Sequence, residues 1–68
     1  MNISKEEAKQ LTNANRKITE ALKNISEALD RLGKMPSYYD ETDPNHRDTV
    51  RKYNQLTTVY ITLSDLIA

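Results

Sequence analysis

The chain has 68 residues, ten of them basic and ten acidic, and no cysteine. A balanced charge excludes a global field steering it toward nucleic acid or an anionic membrane, and the missing cysteines exclude disulfide staples. A single domain this short has trouble burying enough apolar surface to offset its conformational entropy, so self-association is the remaining device.

The first element is written at both ends. Ser4 followed three residues later by Glu7 forms a capping box, preceded by Ile3 as a hydrophobic staple onto Ala8. Glu6 and Glu7 suit the positive end of the helix dipole, and Arg31 and Lys34 the negative end. Gly33 is expected to close the helix in the left-handed conformation, with Pro36 preventing its resumption. The predicted helix covers about 5–32, roughly 42 Å at 1.5 Å per residue.

Inside it the apolar residues repeat every seven. Leu11, Ile18, Ile25 and Leu32 make one row, Ala8, Asn15, Leu22 and Leu29 a second, and Ala14, Ala21 and Ala28 a third. The resulting stripe spans about 160° at 100° per residue, which suits two neighbours better than one. The alanine row permits close approach of another helix and is read as a contact edge. Asn15 reads either as an edge position near a helix end or as a buried polar residue that fixes register. Lys9, Arg16, Glu20, Lys23, Glu27 and Asp30 form the solvated face, with Glu27 and Arg31 spaced as an ion pair.

Periodicity then stops over 33–43, which is read as a loop. Asp43-Pro44 restarts a helix, the aspartate as N-cap and the proline at the first helical position. Val50, Tyr53, Leu56, Val59, Tyr60, Leu63, Leu66 and Ile67 continue it in steps of three and four to about residue 67. Thr57 to Leu63 is rich in β-branched residues that alternate as a strand would, but the pattern is longer than a usual strand and has no second strand to pair with. Helix is therefore expected. From Tyr53 to Ser64 no residue is charged, so more than one side of this helix should be covered.

The expected fold is all-α: an antiparallel two-helix hairpin assembling as a four-helix bundle or larger homo-oligomer. Ala14, Ala21, Ala28, Leu22, Leu29, Val59, Leu63 and Leu66 are the candidate oligomer interface. No secretory or membrane-spanning pattern is read, so a cytoplasmic location is expected.

Chemistry is sparse. The single histidine, His46, falls in the first turn of the second helix and reads as a rim residue rather than a general base. Asp40, Glu41 and Asp43 lack the spacing of a calcium loop and read as a solvated acidic turn. No enzyme, metal or cofactor is expected. The loop-proximal end is the candidate ligand site: Lys34, Arg47 and Arg51, with Arg31 and Lys52 nearby, interleave with Tyr38 and Tyr39. Guanidinium forks and aromatic rings suit a nucleotide, a single strand or a phosphorylated partner. The competing reading is that local pairs such as Asp48 with Lys52 neutralise these cations while the tyrosines cover the bundle end.

Asp43-Pro44, then Arg47, Leu56, Tyr60, Leu63 and Ile67-Ala68, together resemble the last third of the phage anti-CBASS proteins, small helical hexamers that sequester cyclic oligonucleotides. The abundance of Asn, Thr, Ile and Lys without Trp or Phe also fits A·T-rich phage genomes. The sequence departs from that family at Tyr53-Asn54, and no short tyrosine-bearing helix is read ahead of the second helix. Only Arg47 carries over as an implied ligand contact. The leading expectation is a non-enzymatic homo-oligomer that binds another protein as adaptor, inhibitor or regulator. The alternative is capture of a nucleotide, cyclic oligonucleotide or nucleic acid at the Tyr/Arg/Lys end.

Overall fold

Ser4 has extended backbone, φ −63° and ψ 159°, and its hydroxyl accepts from the Glu7 N–H at 3.1 Å. An orphan amide of the first turn is thereby satisfied, and α1 runs from Lys5–Gly33. The computed structural model describes residues 4–67, so the expected staple at Ile3 and the terminal Ala68 lie outside the described residues.

The far end of α1 differs from expectation. Gly33 is its last helical residue and has no positive φ. Termination comes instead from the proline: the residue before a proline is driven out of the α region, and Met35 is extended at φ −72°, ψ 137°. Tightened turns bridge the gap, with the Lys34 N–H donating to Arg31 O and the Met35 N–H to Leu32 O, both at 3.2 Å. Pro36 does not prevent a helix either. It occupies the first position of a single-turn helix, α2, Pro36–Tyr39, where a missing N–H costs nothing. The region read as a plain loop therefore contains a short helix that carries two tyrosines, which the sequence reading held absent.

Asp43 acts near the start of the next helix, but earlier than expected. Its carboxylate accepts from the Asn45 N–H at 2.8 Å, while its carbonyl accepts from the His46 N–H at 3.0 Å. That i→i+3 turn holds Pro44 and Asn45 outside the α-helix, so α3 runs from His46–Ile67. The β-branched segment is helical, and its hydroxyls bond back one turn. Thr57, Thr58 and Thr62 donate to Tyr53 O, Asn54 O and Thr58 O, and Ser64 donates to Tyr60 O. No strand occurs among the described residues.

α1 packs on α3, and α2 packs on α3. A Cβ built on Gly33 would lie 3.7 Å from the Tyr53 ring, and Ser26 and Leu29 share a groove with Tyr60. Leu22 is the one buried hydrophobic among the described residues; Ile18, Ala21, Ile25, Ala28, Leu29 and Leu32 are half-buried opposite Tyr53, Leu56, Tyr60, Leu63 and Ile67 of α3. From Lys5 to Lys17 every residue except Asn13 is exposed. The molecule measures 57 × 17 × 14 Å with a radius of gyration of 16.9 Å, against about 11 Å for a compact domain of this length.

Candidate functional site

The loop-proximal end is organised by a buried hydroxyl chain. Ser37 of α2 and Thr49 of α3 are buried, with their hydroxyls 2.8 Å apart. Thr49 has one proton and gives it to Asn45 O at 2.9 Å, so Ser37 donates to Thr49. His46 Nδ1 lies 2.9 Å from Ser37 O, an oxygen that can only accept, which makes Nδ1 the donor. Every buried side-chain polar atom among the described residues has a partner. α2 is thus latched to the first turn of α3 by directed bonds, and His46 is tied into the latch.

The latch places the tyrosines. Tyr38 packs against Tyr53 with ring centroids 4.9 Å apart and the planes tilted by 54°, and meets Tyr39 edge-on at 5.4 Å. Tyr39 remains exposed, and its hydroxyl donates to Gly33 O at the end of α1. That bond satisfies the carbonyl of the last helical residue, one of the acceptors left open at the end of α1. Ser26, Leu29, Asp30, Gly33 and Lys34 of the α1 side and Tyr39, Tyr53 and Tyr60 opposite them bound one groove.

Of the candidate cations only Lys34 lines it. Lys34 Nζ pairs with Asp30 at 2.9 Å, and this hydrogen bond and charge raise the Lys34 pKa above the ordinary lysine value. Arg51 pairs with Asp48 at 2.9 Å, in place of the expected Asp48–Lys52 pair; both cations are neighbours of Asp48 on the helix surface, and the guanidinium takes the carboxylate. Glu27 and Arg31 form no pair within 4.0 Å; on an exposed face, fixing two long side chains offsets the attraction. Arg47 has no ion pair among the described residues. Arg47 and Arg51 line a different surface with His46, Val50, Asn54, Gln55 and Thr58, all from α3. At 100° per residue Arg47 and Arg51 lie about 120° and 160° around the helix from Tyr53. The single aromatic and basic cluster of the sequence reading is therefore two separate surfaces.

The acidic turn is internally satisfied. Asp40 Oδ1 accepts from the Thr42 hydroxyl at 2.6 Å and the Thr42 N–H at 2.9 Å, and these bonds hold its carboxyl below the usual carboxylate range. Among the described residues no group of His, Cys, Asp or Glu is arranged to hold a metal ion.

The candidate interface residues fall into two groups. Leu22 is buried within the chain, and Ala21, Ala28, Leu29 and Leu63 are half-covered by the partner helix. Ala14, Val59 and Leu66 are exposed, as are Leu11 and Ile61, which are 52% and 57% exposed. Asn15 is exposed, and its carbonyl accepts from Thr19 Oγ1 at 2.9 Å. The Ser37–Thr49 latch is the feature sequence reasoning missed. Its signal was present, since Thr49 precedes Tyr53 and Leu56 by four and seven residues on the buried face. No described helix is long and apolar enough to cross a membrane. Comparison of the chain with protein-family models, with curated proteins and with solved structures finds no match.

Proposed function

We propose that this chain is a non-enzymatic binding module of the cytoplasm: an antiparallel helical hairpin that self-associates and presents the uncharged face of α3 to another protein, as an adaptor, inhibitor or regulator. The observation that carries this reading is the ratio of covered to uncovered apolar side chains. Among the described residues Leu22 is the one buried hydrophobic, while Leu11, Val59, Ile61 and Leu66 are exposed. Apolar surface left open in this proportion is characteristic of chains completed by other chains. A catalytic role for His46 is disfavoured by its bond to Ser37 O, which commits one ring nitrogen to structure.

A second reading, capture of a nucleotide or cyclic oligonucleotide, is favoured by one specific pair of facts. α2 sets two tyrosines directly ahead of α3, and Arg47 there has no carboxylate partner among the described residues. Against it, Lys34 and Arg51 are already paired with carboxylates and the two surfaces point apart.

Light scattering of the purified protein tests the first reading: a mass of at least twice 7.8 kDa is expected, and a monomer at all concentrations overturns it. The absorbance ratio of the same sample tests the second. Nucleotide retained by the native chain and lost in Arg47→Ala/Arg51→Ala establishes ligand capture; partner binding lost in Leu66→Asp but kept in the arginine variant establishes the protein-binding module.

A further inference from the structure

We infer that the uncovered N-terminal half of α1 is a docking surface for the same segment of a second copy, run antiparallel about a two-fold axis near residue 12. The inference rests on the self-associating hairpin reading above and adds its register.

The geometry begins with an offset. Gly33 sits beside Tyr53, and in an antiparallel pair each step up α3 is a step down α1. Ile67, fourteen residues beyond Tyr53, therefore ends level with about residue 19 of α1. Burial agrees, since cover begins at Ile18. Below that point some thirteen residues, about 20 Å of helix, have nothing packed on them. Yet the stripe that α3 covers continues into this stretch through Leu11 and Ala14, which at 100° per residue lie within about 40° of Ile18, before Glu7 ends it.

The surface area says how much must be hidden. The chain exposes 5720 Å², whereas a compact monomer of 7.8 kDa exposes about 4,400 Å². The excess, about 1,300 Å² per chain, belongs to the whole rod, and the bare segment of α1 is one part of it that a second copy would cover.

Direction and charge select the occupant. The track left open by α3 is one that an antiparallel helix enters, and a second α1 related by a two-fold axis runs in that sense. It fits end to end with α3 when residues 5–17 of the two copies overlap. The heptad then fixes the nearest register: Leu11 of each copy faces Ala14 of the other, a large side chain against a small one. The same register brings Glu6 and Glu7 of one copy beside Lys17 of the other. Lys17 is held in its own chain only by Glu20 at 3.9 Å, on an exposed surface, so it can turn to a new partner. A parallel pair would instead set Glu6 and Glu7 against themselves.

The cysteine-free chain permits a direct test by spin labels on Thr12→Cys and, separately, Glu27→Cys in the full-length protein. Both positions are exposed. The register predicts labels at 12 separated by about one interhelix spacing, roughly 10–15 Å, and labels at 27 separated by about 44 Å along the rod. Short distances at both sites mean a parallel pair, and similar distances of about 20–25 Å mean full overlap of the two α1 helices. Either result in an oligomeric sample overturns the register and leaves self-association standing, whereas a monomeric sample overturns both. Leu11→Asp, beyond the reach of α3, should give a monomer with native helix content by circular dichroism. An unchanged mass for that variant overturns the inference.

Discussion

The space around Gly33 decides what its side chain position can accept. A Cβ there would meet the Tyr53 ring at 3.7 Å, an ordinary contact, and the backbone is already right-handed helix. Gly33→Ala should therefore stabilise the fold by about 0.5–1 kcal/mol, because it removes freedom from the unfolded chain and none from the folded one. Urea midpoints at fixed protein concentration measure it. A loss of stability would mean that the left-handed cap operates in solution. The contrast with Ser4 shows what a residue type can announce. A serine followed by Glu7 leaves little else to do but cap, and the bond from the Glu7 N–H is there. A glycine permits a left-handed turn without requiring one, and here Pro36 acts through Met35 before the glycine needs to.

At the level of elements, the two long helices are legible because each repeats its apolar positions over many turns. α2 is not, because a four-residue helix is too short to show a period. The separation of the candidate site into two surfaces was equally hidden, since it depends on how far α3 turns between Arg47 and Tyr53. What holds α2 is the hydroxyl chain, and the two ends of that chain are unequal. Ser37→Ala removes a donor and leaves Thr49 still bonded to Asn45 O, so a cost of about 0.5–1.5 kcal/mol is expected. Thr49→Val strands the Ser37 hydroxyl in a buried site, at about 1–3 kcal/mol. Denaturant titrations of the two variants should rank them in that order, and Thr49→Val should also disturb the near-ultraviolet signal of Tyr38 and Tyr53, whose rings meet between α2 and α3.

The whole molecule is a rod whose interior is one leucine thick. The proposed self-association predicts a melting temperature that rises with protein concentration, by about 3–5 °C for each tenfold increase. A melting temperature independent of concentration over two decades would overturn that proposal.

Between Tyr53 and Ser64 the outer side of α3 offers threonine hydroxyls, amides and the aliphatic side chains of Val59 and Ile61, with no formal charge at neutral pH. A contact made there has no ion pairs for sodium chloride to screen. Sulfate, excluded from apolar surface, would tighten it, so the grip of this face on whatever it holds is governed by the kind of salt and hardly by ionic strength.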